Sequence, residues 1–490
     1  MHIRLLIRRS IIGCITVLFT THVFAGDSKL STEHVRKLSI EQSLGHKIFF
    51  DTNLSNPVGQ SCASCHDPKT AFSEPDLDSP VSSGAEIGKI GTINTPTAMY
   101  AAFIPAFHFN SEEGLFIGGQ FLDGRESTLE AQAKQPFLNP DEMNNPDKAN
   151  VIEKIRNATY ADDFKLVFGQ DALDDIDAAY NHVAAAVASF ERSVIFNPFT
   201  SKYDYYLAGM VELSEQEERG LHLFEAEDKG NCAACHPSQP LDEKPPLFTD
   251  FTYDNLGVPA NQKILEIKGA DFVDMGLGKT VKDHPNAEAG ANNGKFKVST
   301  LRNSAKTAPY MHNGVFTSLK EVVDFYNTRD VDPRWAEPEI AAGMNTEELG
   351  DLKLSDQEVD DIVAFLRTLS DGYELDEWAT IDQRNIINLP YVRIEGQNVV
   401  SRIYSVQMEK TAAAQASSQY QVTRLKELSL TDNFQQSDMP YYSLDTGILE
   451  IPAIRKTHEN GKQSTYVAQF KKAFINEQLI FELSYYKEWQ

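Results

Sequence analysis

The sequence predicts a mainly α-helical protein, made of two tandem helical domains built alike and a β-rich module at the C-terminal end. Three observations predict it. The pentad Cys-x-x-Cys-His occurs twice, as Cys62-Ala63-Ser64-Cys65-His66 and Cys232-Ala233-Ala234-Cys235-His236. Each pentad follows the same short helix pattern, opened by the same kind of cap. Beyond about residue 378 the helical period gives way to alternation of period two.

Each pentad is the signature for covalent attachment of a c-type haem. Its two thiols form thioethers with the haem vinyl groups, and the His becomes an axial iron ligand. Cys62, Cys65 and His66 therefore hold one haem, and Cys232, Cys235 and His236 a second, which makes the two helical domains cytochrome c-like. The chain has five Cys, so four are committed to the pentads and only Cys14 is left over. A zinc site does not ordinarily place a His directly after both Cys pairs. A disulfide framework would scatter its cysteines rather than reserve them for one pentad.

Cys14 lies in a segment expected to be removed. Arg4, Arg8 and Arg9 form a basic start, Ile11 to Val23 an apolar run, and Val23-Phe24-Ala25 a small-residue cleavage site. Residues 1–25 thus read as a cleavable signal peptide. Cytochromes c mature outside the bacterial cytoplasm, so the expected location is the periplasm. No later apolar run approaches membrane-spanning length, so no integral membrane segment is expected in the mature chain. The formal charge is −26, and removing three basic and no acidic residues leaves −29. That argues against nucleic acid as a partner, since it is bound through basic surface.

The first helix of each repeat is opened by a capping-box pattern, Ser39-Ile40-Glu41-Gln42 and Ser214-Glu215-Gln216-Glu217. Gly45, Ile48 and Phe49 in one match Gly220, Leu223 and Phe224 in the other. An Ala-rich helix is expected over 181–194, with Val183, Val187 and Phe190 on one face. Ser318 and Ser355 each precede a Glu by three residues and open two more amphipathic helices. Long loops over 67–97 and 237–295 are uncommon in compact domains unless they have a task, and wrapping a haem is one. In the tail, Ile387-Asn388-Leu389-Pro390-Tyr391-Val392 and Leu449-Glu450-Ile451-Pro452-Ala453-Ile454 repeat one pattern, and 466–470 and 479–483 alternate. The expected organisation is a signal peptide (1–25), a first haem domain (26–205), a second (206–378) and a β-rich accessory module (379–490).

Residues 40–373 resemble the di-haem cytochrome c peroxidase/MauG family. The resemblance rests on Cys62-Ala-Ser-Cys-His-Asp-Pro-Lys-Thr-Ala-Phe72, Asn94-Thr-Pro-Thr97, Gly119-Gln-Phe-Leu-Asp-Gly-Arg125, Ala131-Gln-Ala-Lys134 and Glu142-Met143. It continues in Phe296-Lys-Val-Ser-Thr-Leu-Arg-Asn303 and Thr307-Ala-Pro-Tyr-Met-His-Asn-Gly314. It implies that hydrogen peroxide reacts at the first haem while the second moves or stores oxidising equivalents. It makes Glu142 the acid–base group for O–O scission and Gln132 its hydrogen-bonding neighbour. It places Tyr326 as the second axial ligand of the second haem, where conventional peroxidases have Met and the MauG-like branch has Tyr; Met311 and His312 are rivals by proximity. It also implies a calcium ion held by the Asn94 side chain and the carbonyls of Thr307 and Pro309.

Two details separate this chain within the family. Residues 67–93 contain neither His nor Met, so no nearby residue blocks the first iron at rest, as in the MauG-like branch. Where the family usually has a Trp between the haems, this chain has Leu122, which cannot be oxidised in that role. The expected function is a periplasmic di-haem oxidoreductase acting on peroxide. Its electrons come from a small redox protein or from an amino-acid side chain of a protein substrate. The alternative is a non-enzymatic di-haem electron carrier.

Overall fold

The structure, a computed structural model, describes residues 38–490 apart from 209–210, 241–244, 374–378, 382–384, 397–398, 412–418, 429–439, 458–462, 476–477 and 489–490. The expected signal peptide and Cys14 lie outside the described residues. The helices that frame the pentads are α1 (Ile40–Phe49), α2 (Leu129–Leu138), α3 (Ile176–Glu191), α4 (Glu215–Glu225), α5 (Leu319–Thr328) and α6 (Asp356–Arg367).

Both capping boxes form. Ser39 Oγ accepts from Gln42 N at 3.1 Å while Gln42 Oε1 accepts from Ser39 N at 3.0 Å. Ser214 and Glu217 make the same exchange at the start of α4. Helix α3 starts earlier than its periodicity suggests, because Asp175 caps it by accepting from Ala178 N at 2.8 Å. It ends at Glu191 rather than at 194.

The repeated glycines show why the two halves match. A Cβ on Gly45 of α1 would stand 1.9 Å from Ala186 O and 2.8 Å from Phe190 Cβ of α3. A Cβ on Gly220 of α4 would stand 1.9 Å from Asp361 O and 2.9 Å from Phe365 Cβ of α6. In each half the partner residues are four apart, so one turn of the partner helix closes over a glycine. The crossing is tight enough that no other residue fits. Around it pack Leu44, Ile48, Phe49, Phe137, Val187 and Phe190 in one core, and Phe224, Val323, Ile362, Phe365 and Leu369 in another. Tyr100 OH and Asn303 Nδ2 both donate to Asp371 Oδ2, at 2.8 and 2.7 Å, which ties the Tyr100 segment to the second core.

The tail is a closed barrel of β1 (Ile387–Gly396), β2 (Val399–Lys410), β3 (Gln419–Leu428), β4 (Ile448–Thr457), β5 (Gln463–Ile475) and β6 (Gln478–Glu488). Two antiparallel meanders, β1–β2–β3 and β4–β5–β6, join where Tyr420 of β3 pairs with Phe481 of β6. The short strands Thr380–Ile381 and Tyr441–Ser443 each pair with both β1 and β4 and close the ring. The repeated Pro pattern has a structural meaning. Register shifts fall between Leu389 and Val392 in β1 and between Ile451 and Ile454 in β4. A bulge accommodates a residue that cannot donate to the ladder, and the extra residue keeps both flanking side chains facing inward. Leu389, Val392, Ile451 and Ile454 all lie in the barrel core.

The structure is 31% helical and 20% strand, so the expectation of a mainly α protein with a β-rich tail is met in part. Strand is concentrated in the barrel, and much of the pentad-bearing chain is loop.

Candidate functional site

Each pentad folds as one tight turn in which the His main-chain N–H donates to the first Cys. The distance is 2.9 Å for both His66 to Cys62 O and His236 to Cys232 O. His66 Nδ1 lies 2.9 Å from Phe72 O, and His236 Nδ1 2.7 Å from Phe248 O. A carbonyl can only accept, so the proton sits on Nδ1 and the Nε2 lone pair is left for a metal. Burial holds both imidazoles below the usual histidine pKa, in the neutral state a metal requires. Phe72 and Phe248 adopt φ of 56° and 53° to aim those carbonyls. A left-handed aromatic residue is strained, by about 1–3 kcal/mol, and persists where packing fixes it. Both rings are almost fully buried.

Two cavities open beside the pentads. One, of about 340 Å³, is lined by Cys62, Cys65, His66, Gln132 and Glu142; the other, of about 360 Å³, by Cys232, Cys235, His236 and Tyr326. All four thiols are free of disulfides. Burial raises every one of them, Cys65 to about 11 and both Cys232 and Cys235 to about 12. Two thiols and one oriented imidazole on the wall of a cavity form the donor set for a covalently attached haem, and it is met twice.

In the first cavity His66 is the sole histidine among the described lining residues. Burial raises the Glu142 pKa, opposed by the charge of Arg125 and a hydrogen bond from Asn139. That bond runs from Asn139 Nδ2 to Glu142 Oε1 at 2.8 Å. Gln132 lines the same cavity but makes no hydrogen bond to Glu142. The side chain hydrogen-bonded to Glu142 in this structure is Asn139, three residues before it at the end of α2.

In the second cavity the Tyr326 hydroxyl has no hydrogen-bond partner among the described residues, although a buried tyrosine ordinarily finds one. The rivals are otherwise engaged. His312 Nε2 lies 3.1 Å from Glu339 Oε2, and its ring stacks on Phe296 at 3.8 Å. Met311 packs against the cluster of Val258, Phe316 and Phe325. Asn94, Thr307 and Pro309 line this cavity together. Asn94 Nδ2 donates to Pro80 O at 3.0 Å, which leaves Oδ1 as its free acceptor. No cluster of three or more His, Cys, Asp or Glu side chains able to hold a metal occurs among the described residues. A cation here would rest on amide and carbonyl oxygens.

The cavities share a wall that includes Asn94, Gln120, Phe121, Leu122 and Asp274. Leu122 is buried within it. The Arg125 guanidinium lies 3.4 Å above the centre of the Phe121 ring.

Sequence reasoning missed the Phe72 and Phe248 carbonyls, which follow their histidines at unequal spacing. It also missed Glu191, which lines the first cavity and is buried with Oε2 unpaired. A signal for Glu191 was present, since it continues the apolar stripe Val183–Val187 of α3.

The family model "Di-haem cytochrome c peroxidase" matches residues 40–212. The chain is 42% identical over 349 residues to the methylamine utilization protein MauG of Paracoccus denitrificans, covering 67% of this chain and 88% of that protein. It is 29% identical over 333 residues to the cytochrome c peroxidase Ccp of Escherichia coli, covering 68% and 58%. Among solved structures it resembles the diheme peroxidase BthA from Burkholderia thailandensis, with TM-score 0.63 and 35% identity, over 68% of this chain and 86% of that one.

Proposed function

Because the chain belongs to the di-haem cytochrome c peroxidase/MauG family, we propose that it is a periplasmic haem oxidoreductase that consumes hydrogen peroxide in the first cavity and draws electrons through the second from a side chain of a partner protein. The observation that carries the reading is a cavity with one fixed imidazole, His66, and a buried carboxyl, Glu142, on the same wall.

The haems, when bound through Cys62, Cys65 and His66 and through Cys232, Cys235 and His236, supply the one-electron chemistry that peroxide reduction needs. Glu142 supplies the proton chemistry. Asn139 donates to Oε1, so Oε2 is the atom that takes a proton from peroxide and returns it to the leaving oxygen. Burial keeps this carboxyl titrating above the ordinary range, where it both gains and loses a proton readily. Gln132 orients peroxide from the same cavity wall. Tyr326 would hold the iron of the second haem through an anionic oxygen, a donor that would lower the potential there and suit oxidation of a protein side chain. Asn94 Oδ1 with the Thr307 and Pro309 carbonyls offers the hard oxygen donors that calcium takes.

A second reading, peroxide removal with electrons from a small redox protein, is favoured by Leu122. An aliphatic wall residue cannot share charge between the two sites. Steady-state turnover of the holo protein with peroxide and reduced cytochrome c separates the readings. Fast turnover assigns the donor to a small redox protein, and no turnover with a high-spin resting ferric spectrum supports the partner side chain. A resting spectrum without any high-spin species leaves only an electron carrier and overturns both.

A further inference from the structure

Lys297 is a lysine inside the protein. It is 8% exposed and lies on the second cavity, directly behind the wall shared with the first. Its Nζ donates to Gly119 O at 2.6 Å and to Phe121 O at 2.8 Å, and its main-chain N donates to Leu122 O at 2.8 Å. Three hydrogen bonds from one residue thus hold the main chain of the wall.

No carboxylate among the described residues pairs with it. Asp123, on the wall, is 2.7 Å from Arg125 and committed there. Tyr253, opposite Lys297 in its strand pair, donates to Gly118 O at 2.5 Å. On the cavity side Asp274 accepts from Gly276 N, and His312 is paired with Glu339. Burial without a partner drives the amine down to about 7, opposed only by the Asp123 charge.

The hydrogen-bond count decides what the group can do. An ammonium has three N–H donors and the neutral amine two. Two carbonyls are within reach, so the third hydrogen is the dispensable one. The wall stays clamped whether or not Lys297 carries its extra proton.

We propose that Lys297 is a redox-linked proton site: Nζ binds a proton when the haem in the second cavity gains an electron, and releases it when that haem is oxidised. The proposal rests on the second cavity holding a haem, as in the function argued above. The balance is one electron from the reductant and one proton from solvent per turnover of the site, with no bond to carbon made or broken. The direction follows from charge, since an added electron makes a buried cation beside the haem easier to hold. Peroxide reduction consumes protons as well as electrons, so a proton carried with the second site's electron arrives with the equivalents that need it.

The test is a spectroelectrochemical titration of the holo protein between about pH 6 and about pH 8, a range around the neutral region where such a group titrates. In the wild type the second haem's midpoint potential falls as pH rises. In Lys297→Met this dependence is lost and the potential stays at its alkaline value; in Lys297→Arg it stays at its acid value. A purely structural clamp would shift the potential yet leave its pH dependence. If the dependence survives in both variants, the proposal is overturned. Should neither variant fold, redox-difference infrared spectra of wild type grown with heavy-nitrogen lysine give the answer. A lysine band must appear on reduction of the second haem, and its absence overturns the assignment. If each chain takes up only one electron on full reduction, the two-haem reading fails instead, which is a different result.

Discussion

Replacing Glu191 by glutamine removes a buried carboxyl while keeping its volume, and the consequence for stability has a definite sign. Burial lifts the Glu191 pKa from 4.5 to about 8, opposed by the charge of Arg192. Between those two values the folded protein keeps a proton that the unfolded chain has lost. Stability therefore falls as pH rises through that window and stops falling above it. At ~1.4 kcal/mol per pH unit, the loss across the window comes to about 5 kcal/mol. The chain's large negative charge also weakens it at high pH, but Glu191→Gln shares that background. The informative quantity is thus the difference between the two proteins. Guanidinium denaturation of both holo proteins, followed by helical circular dichroism from about pH 5 to about pH 9, should show the wild type losing several kcal/mol relative to the variant. Parallel stability curves would mean that Glu191 is ionised or solvated in the folded protein, and the argument from its burial would be wrong.

The tight helix crossings make a paired prediction: Gly45→Ala and Gly220→Ala each place a Cβ 1.9 Å from a main-chain oxygen. The helices must part by about 1.5 Å, and each variant should lose about 1–3 kcal/mol or more in thermal or denaturant unfolding. Unchanged stability in both would show that the crossings are looser than described. Glu142→Gln should leave the resting absorption spectrum intact and slow the stopped-flow reaction with peroxide by about 10²–10⁴-fold. Because Glu142 is raised above the ordinary carboxylate range, the wild-type rate should drop as pH falls through that raised value, and the variant should lose this limb. At the other site, Tyr326→Met exchanges an anionic oxygen for a thioether and should raise the second haem's midpoint potential. A potential that does not move would remove Tyr326 from the ligand set.

Much of this was legible because it is written in local chemistry. The pentads, the Ser39 and Ser214 caps and the glycines six residues after each cap, Gly45 and Gly220, are all short-range patterns. Local rules also found the barrel strands at 387–392 and 448–454, although the bulge at each Pro explains a three-residue apolar step that alternation alone leaves unexplained. What stayed hidden depends on long-range placement. The Phe72 and Phe248 carbonyls reach their histidines across six and twelve residues, as their hydrogen bonds record. No fixed spacing links them. Lys297 falls within the Phe296–Asn303 motif, but nothing nearby in sequence shows that it ends behind Gly119, Phe121 and Leu122. Asn139 is hydrogen-bonded to Glu142 because the turn after α2 brings a residue three positions away close to it.

The two sites are built from one plan, so the difference in what they do must come from the few positions where the plan is broken. Both fix an imidazole with the carbonyl of a left-handed phenylalanine, and both seat their pentad against a glycine-centred helix crossing. Beyond that they diverge. Both cavities are lined by carboxyls, but the first alone has Glu142 and Glu191, whose pKa values burial raises. The second presents Tyr326, a phenol without a hydrogen-bond partner among the described residues, and Lys297, a buried amine opposed only by the more distant charge of Asp123. An acid–base wall suits bond cleavage, whereas an oxygen ligand and a buried cation suit the setting of a potential. Leu122 and Phe121 then stand between the two as groups too hard to oxidise, so the shared wall itself offers no side-chain relay for charge at these two positions.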